Sequence, residues 1–213
     1  VWSTRLSITE QDKLSLQSAY SWDSSVQDLF AALLNGATLC FVAIKRDGIS
    51  ASLRWMLEQR VSVYHSTIPL FRQVCRLLED NKDSLNWSSL RLLAVGGDSV
   101  LQQDVHAWQR LFSPHSSLAY AYGSSESSTT LMKVIPNDFQ MQMETLDLGE
   151  VAPGALVELV DDSGNIADEG EITLTSAYVV NGYLNQDIDP ARFTRSADGR
   201  IRYRTGDLAK RLI

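Results

Sequence analysis

The sequence predicts an α/β fold: a mostly parallel sheet with covering helices, followed by a smaller β-rich, barrel-like subdomain. Three observations predict it. Through the first two-thirds of the chain, segments with helical apolar spacing alternate with short apolar runs. Those runs are nearly continuous in apolar residues, as suits parallel strands buried on both faces. After about Asn137 the pattern changes to period two, interrupted by turn residues, which is the pattern of antiparallel hairpins.

Taken in order, Val26, Leu29, Phe30, Leu33 and Leu34 recur at helical spacing, and Asn35-Gly36 ends that helix. Ala37 to Ile44 reads as a strand buried on both faces. A helix over Ser50 to Gln59, a strand over Val61 to Tyr64 and a helix over Leu70 to Leu78 follow. Leu90 to Val95 is a strand running into Gly96-Gly97, Val100 to Leu111 is helical, and Leu118 to Tyr122 is a strand ending at Gly123. Strand, helix, strand at this spacing predicts a parallel sheet. A boundary falls near residue 140, dividing the chain into 1–140 (α/β) and 141–213 (β-rich). In the second part, Val157 to Val160 and Glu171 to Thr175 flank a turn from Asp161 to Asn165, and Tyr203 opens a last short element. Val1 to Ser3 and Leu212-Ile213 read as cut ends, so the chain is expected to be a piece of something longer.

With 44% hydrophobic and 21% charged residues, the 213-residue chain has the composition of a folded domain, not of a disordered, collagen-like or coiled-coil one. A net charge of -7 offers no basic face, so no nucleic-acid partner is expected. Cys40 and Cys75 are too few for a disulfide framework and are expected to be buried thiols in a reducing cytoplasm. No zinc-ligand spacing exists, and His65, His106 and His115 are scattered. The opening residues are not a signal peptide. The longest apolar run, Leu29 to Ile44, is broken by Asn35, Gly36 and Thr38 and falls short of the roughly 20 residues that span a bilayer. A cytoplasmic protein without a membrane partner is the expectation.

Chemistry is expected at the carboxyl ends of the strands, where open α/β sheets bind ligands. One strand ends in Gly96-Gly97-Asp98-Ser99, another in Tyr122-Gly123-Ser124-Ser125-Glu126-Ser127-Ser128-Thr129-Thr130. Glycines allow the backbone close to a ligand, and the hydroxyls and amides that follow can donate to phosphate oxygens. Glu126 beside those donors suits a Mg²⁺ bound together with a nucleotide phosphate, and Tyr122 offers a flat face to a base. The alternative is that both segments are turns whose Ser and Thr cap helices. In Tyr203-Arg204-Thr205-Gly206-Asp207-Leu208 an acid follows a tight turn, where it either accepts from two vicinal hydroxyls or satisfies its own turn. Asp23 precedes the first predicted helix, either as its N-cap or as an anion that holds an ammonium group. Nucleophile-elbow, Walker-type, His-Glu-x-x-His and Gly-x-Gly-x-x-Gly signatures are absent.

Five segments in this order resemble the adenylate-forming (AMP-binding) superfamily, most closely the adenylation domains of nonribosomal peptide synthetases. Trp22-Asp23-Ser24-Ser25 through Leu33-Leu34-Asn35-Gly36-Ala37 is similar to the family's Phe-Asp-x-Ser … Leu-x-x-Gly-Ala. Leu92 to Asp98 resembles its strand ending in Gly-Gly-Glu, and Tyr122 to Glu126 its Tyr-Gly-Pro-Thr-Glu. Gly170-Glu171-Ile172 … Gly182-Tyr183-Leu184 and Tyr203 to Leu208 match two further motifs, the last without a change. Trp22 stands for the family's Phe, Tyr120 for the usual Asn, and Ser124-Ser125 for Pro-Thr.

The resemblance implies part of a large N-terminal adenylation core that uses ATP and Mg²⁺. Tyr122 would stack on adenine, bordered by Gly97, Asp98, Ser99, Tyr120, Ala121, Gly123 and Ser124. Ser125 would meet the α-phosphate, Glu126 would hold Mg²⁺ and Asp207 the ribose hydroxyls. Asp23 would pair with a substrate ammonium, in a pocket shared with Ser24, Gln27, His65, Ala94, Gly96, Ala121, Thr129 and Thr130. The product would be an aminoacyl-adenylate, passed to the phosphopantetheine thiol of a peptidyl carrier protein domain among other synthetase modules. The family's upstream phosphate loop and C-terminal lid are not in this sequence, so these residues alone are expected not to complete adenylation. Two other readings stand beside this one: an acyl- or aryl-CoA ligase or fatty-acyl-AMP ligase, in which Asp23 has no ammonium to meet, and a catalytically silent platform.

Overall fold

A computed structural model describes residues 2–80, 86–185 and 190–212. Of the ends read as cut, Val1 to Ser3 and Leu212-Ile213, the residues Val1 and Ile213 lie outside the described residues. The chain divides into two compact units: Val1–Tyr122 with Met132–Gly149, and Gly123–Leu131 with Glu150–Ile213.

The elements up to residue 149 are α1 (Trp2–Arg5), β1 (Lys13–Leu16), α2 (Asp23–Asn35), β2 (Thr38–Phe41), α3 (Ile44–Asp47), α4 (Ile49–Glu58), β3 (Val63–Thr67), α5 (Ile68–Asp80), β4 (Leu92–Gly96), α6 (Gln102–Leu111), β5 (Ser117–Ser124) and β6 (Ser128–Ile135). Strands β1 to β5 pair in the order β2-β1-β3-β4-β5, and every one of those pairings is parallel. Residues alternate between two faces. On one face Tyr64, Leu93, Val95, Leu118 and Tyr120 pack with Leu53 and Met56 of α4, Phe71 and Val74 of α5, and Val105 and Trp108 of α6. On the other, Leu14, Val63, Leu92, Ala94, Ala119 and Ala121 pack with Ala31 and Ala32 of α2. The central strand β4 is buried along Leu92–Val95, as its unbroken apolar run predicts.

Three expectations differ from this arrangement. The segment expected to be a strand buried on both faces is the edge strand β2, and its Phe41 is 70% exposed. The apolar stripe of α2 does not face the sheet: Val26, Phe30, Leu33 and Leu34 are exposed, whereas Ser25, Asp28, Ala31 and Ala32 are buried. Small residues bring the helix close to a sheet face that is itself lined by alanines, and bulkier side chains do not fit between them. Strand β1, four residues containing a serine, carries too short a pattern to be read from sequence, yet it sits between β2 and β3.

The second unit holds β7 (Glu150–Val151), β8 (Leu156–Val160), β9 (Glu169–Ser176), a 3₁₀ turn at Pro190–Arg192, β10 (Phe193–Arg195) and β11 (Ile201–Lys210). Strands β8 to β11 form an antiparallel sheet in the order β10-β11-β9-β8. Its buried residues include Leu159, Ile172, Leu174, Ile201 and Tyr203. The β8–β9 turn closes on its own acid, with Asp161 Oδ1 accepting from the amides of Ser163 and Asn165 at 2.9 Å each. The expected last short element is instead a ten-residue strand that begins at Ile201.

Candidate active site

In the first unit, strand register brings several candidate residues onto the face covered by α2. His65 pairs with Ala94 across β3 and β4, and Gly96 pairs with Ala121 across β4 and β5. Ala94 and Gly96 are two residues apart and therefore share that face. Asp23 is the first residue of α2 and half-buried. The capping position belongs to Trp22, whose side chain makes no cap bond, so the N-cap reading of Asp23 does not hold. Ser24 bonds Ser18 through the two hydroxyls at 2.8 Å, and Gln27 lies one helical turn beyond Asp23. His65 Nδ1 lies 2.8 Å from Oδ1 of Asp28, a buried acid on the inward face of α2. Burial pulls the imidazole pKa down. The charge and hydrogen bond of Asp28, with the charge of Asp23, outweigh it and leave the pKa raised.

The strand end at Gly96-Gly97 is organised by Arg72 of α5. Its guanidinium bonds Asp98 at 3.1 Å, the carbonyl of Ser99 at 3.0 Å and both oxygens of buried Asp104 at 2.8 and 2.9 Å. Asp98 Oδ1 also accepts from the amide of Ser99. The loop is thus held by a cation that the sequence pattern did not single out. Tyr120 is buried in the helix-covered core, and Ala121 points to the opposite face. Tyr122, two residues after Tyr120, is only half-buried.

In the second unit, Ser124 to Ser127 close a tight turn, with the amide of Ser127 donating to the carbonyl of Ser124 at 3.1 Å. A Cβ at Gly123 would lie 2.0 Å from the carbonyl oxygen of Ser128, so only glycine fits. Ser125 is exposed at the turn, Thr129 is half-buried and Thr130 is buried. Glu126 is half-buried and accepts from the Tyr183 hydroxyl at 2.8 Å, while its carbonyl accepts from the amide of Val180. Partial burial pushes the Glu126 carboxyl up, but hydrogen bonds from Ser124, Tyr183 and Tyr203 outweigh it and hold the pKa down. Tyr183 is pushed up to about 12, chiefly by its bond to Glu126.

Asp207 sits on a bulge, not after a turn. The β11–β9 register shifts between Arg204 and Leu208, and Gly206 takes φ +84 there. Glu171 of β9 secures the bulge by accepting from Arg204 Nε at 2.8 Å and from the amide of Gly206 at 2.9 Å. The Thr205 hydroxyl accepts from the amide of Asp207 at 3.0 Å, and Asp207 is exposed. Among the described residues, no group of three or more His, Cys, Asp and Glu side chains is assembled around a metal position.

Sequence reasoning missed Asp28, Arg72, Glu171 as a support and Tyr183 as the partner of Glu126. Asp28 had one legible signal, since it shares the helical spacing of Ser25, Ala31 and Ala32. Arg72 had none, because its partners lie 26 to 32 residues away.

The profile of a family described as AMP-binding enzyme matches residues 1–184. Bacitracin synthase 1 of Bacillus licheniformis is 30% identical over 214 residues, which cover 96% of this chain and 4% of that protein. A D-alanine–D-alanyl carrier protein ligase of Listeria monocytogenes is 30% identical over 200 residues, covering 90% of this chain and 38% of the ligase. The crystal structure of the Vibrio cholerae adenylation domain AlmE, in complex with glycyl-adenosine-5'-phosphate, superposes with a TM-score of 0.79 at 23% identity, covering 98% of this chain and 40% of that one. This chain therefore spans well under half the length of each of these three proteins.

Proposed function

The chain belongs to the AMP-binding enzyme family, and from that premise we propose that it is a section of an adenylation domain of a nonribosomal peptide synthetase. The observation that carries the reading is the family match itself, which extends across Asp23, Glu126 and Tyr183. The names of the relatives support an amino acid as substrate and a carrier protein as acceptor, since one acts on D-alanine and a carrier and another holds a glycyl adenylate. The adenylation core would comprise an α/β part, 1–140, and a β-rich part, 141–213.

In the proposed reaction an oxygen of the substrate carboxylate forms a bond to the α-phosphorus of ATP. The bond from that phosphorus to the bridging oxygen breaks, and pyrophosphate leaves with the electron pair. Such chemistry calls for placement and charge neutralisation rather than a protein nucleophile. Asp23 holds the ammonium, in a pocket with Ser24, Gln27, His65, Ala94, Gly96, Ala121, Thr129 and Thr130. Tyr122 lies against adenine, with Gly97, Asp98, Ser99, Tyr120, Ala121, Gly123 and Ser124 at its border. Asp207, exposed on its bulge, accepts from the ribose hydroxyls. Ser125 donates to the α-phosphate. A Mg²⁺ ion bound with nucleotide phosphates needs only one or two protein carboxylates. Glu126, a single carboxylate kept ionised by its hydrogen-bond donors, fits that requirement. When bound, the ion neutralises phosphate charge. The phosphopantetheine thiol of a peptidyl carrier domain then gives up its proton and bonds the acyl carbon. The bond from that carbon to the phosphate oxygen breaks and AMP leaves with the electron pair, in a cytoplasmic assembly with other synthetase modules.

ATP–pyrophosphate exchange by the full-length polypeptide that carries this chain tests the reading. Exchange with an amino acid, lost in Asp23→Ala, is the expected result. Exchange confined to amine-free acids moves the protein to the acyl-CoA or fatty-acyl-AMP ligases, and no exchange with any acid leaves the silent platform.

A further inference from the structure

In the first unit the neighbouring strands β3, β4 and β5 end side by side at the carboxyl edge of the sheet. β3 runs straight from Thr67 into α5, which sets Arg72 one turn along that helix. β4 ends at Gly96, where its pairing with both neighbours stops, and Gly97 to Ser99 continue exposed toward α6. Gly97 turns the chain at φ +80, and glycine by itself leaves such a loop many alternative conformations.

Side chains hold Asp98 and Ser99 in one of them. The Ser99 carbonyl accepts from Arg72 Nη2 at 3.0 Å, and Asp98 Oδ2 accepts from Arg72 Nη1 at 3.1 Å. Asp98 Oδ1 accepts from the amide of Ser99 at 2.7 Å. Arg72 is itself anchored, because Nε and Nη2 meet the two oxygens of Asp104 at 2.9 and 2.8 Å, and Asp104 is only 3% exposed. Asp104 Oδ2 also accepts from the amide of Leu101 at 2.8 Å, just before α6. A point charge would suffice to neutralise Asp104. The planar guanidinium does more, since it keeps one edge on the buried acid and directs its remaining donors at the exposed loop.

We propose that Arg72 is a positioning residue for the nucleotide: by fixing Asp98 and Ser99 it keeps the border of the adenine site formed before ATP arrives. The inference rests on the adenylation reading, which puts this loop beside adenine, and deepens it. A loop already in order removes an entropic cost from binding, so affinity for the nucleotide falls in proportion to the fraction of molecules whose loop stays ordered. Every bond of Arg72 among the described residues goes to Asp98, Ser99 or Asp104. Its effect therefore belongs to ATP, and not to the acid or to the chemical step.

Arg72→Lys in the full-length polypeptide tests it, because lysine keeps a cation opposite Asp104 but lacks the fork. ATP–pyrophosphate exchange should show the KM for ATP raised about tenfold, as when the ordered loop falls to about a tenth of the population. The maximal rate and the KM for the acid should stay within about twofold of wild type. The amide of Ser99 should exchange its hydrogen faster in the same variant. Asp98→Asn changes a side chain that is 49% exposed, and should raise the KM for ATP by a smaller factor. Because Asp98 acts through Arg72, the double variant should be no worse than Arg72→Lys. Should Arg72→Lys melt far below wild type, Asp98→Asn decides by the KM for ATP. An unchanged KM for ATP in folded variants overturns the inference and leaves adenylation standing, as does a loss spread over the maximal rate and both KM values, or additive losses in the double variant. No exchange by wild type with any acid overturns adenylation, and calorimetric titration of the same variants with ATP then decides the inference by the same factors.

Discussion

Asp12, Ser62 and Arg91 each sit immediately before a parallel strand, β1, β3 and β4 respectively, and they bind one another. The Asp12 carboxylate accepts from Arg91 Nε and Nη2 and from the Ser62 hydroxyl, each at 2.7 Å, and from the amide of Thr9 at 2.9 Å. Burial pushes its pKa up, but the bonds from Arg91, Thr9 and Ser62 outweigh this and lower it from 3.8 to about 2. A gap of about 2 units between unfolded and folded chain corresponds to at most about 3 kcal/mol of stability. Because the folded value is the lower one, that stability is present above about 4 and is lost as pH falls through about 2. Asp12→Asn keeps the shape but turns an amide toward the donors and leaves Arg91 without its counter-ion. We expect a loss of about 3 kcal/mol, at the low end for broken buried pairs because Arg91 is itself 38% exposed and water can reach it. Urea unfolding of the full chain at pH 7 measures the loss as a lower midpoint with an unchanged slope. Repeating it from pH 5 to pH 2 should show wild type and variant converging. A loss under about 1 kcal/mol, or a difference that does not shrink toward pH 2, refutes the claim that this cluster clamps the starts of three strands.

Other consequences are equally direct. Gly123→Ala forces a Cβ into the Ser128 carbonyl, so the 123–128 turn should open at a cost of about 3 kcal/mol, visible as a lower melting temperature. Glu171→Gln weakens the support of the Asp207 bulge, and the amide of Gly206 should exchange its hydrogen about tenfold faster. Cys75 is buried with its thiol pushed up to about 12 by burial, and Cys40 is buried and also raised. Neither should react with iodoacetamide at pH 8 in the folded protein, and both should react in urea.

The parts of this protein legible from its sequence are those whose signal is local. The apolar run Leu92–Val95 announces a strand buried on both sides because no solvated strand tolerates four such residues in succession. Gly36, in the left-handed region at φ 68, ends α2 where Asn35-Gly36 predicted. The motif residues are located by their resemblance to the family's segments, and at Gly123 the structure supplies a local reason, since a Cβ there would meet the Ser128 carbonyl.

Tertiary structure alone decided the rest, because those choices depend on what lies opposite. The apolar spacing of α2 specified a helix but not its orientation. That was set by the alanine-lined sheet face, against which Ala31 and Ala32 pack more closely than Phe30 or Leu33 can. Arg72 reaches Asp98 across 26 residues and Tyr183 reaches Glu126 across 57, distances at which sequence spacing carries no geometric information. Asp28 lies 37 residues from His65, and only the packing of α2 on β3 makes a positioned pair of them.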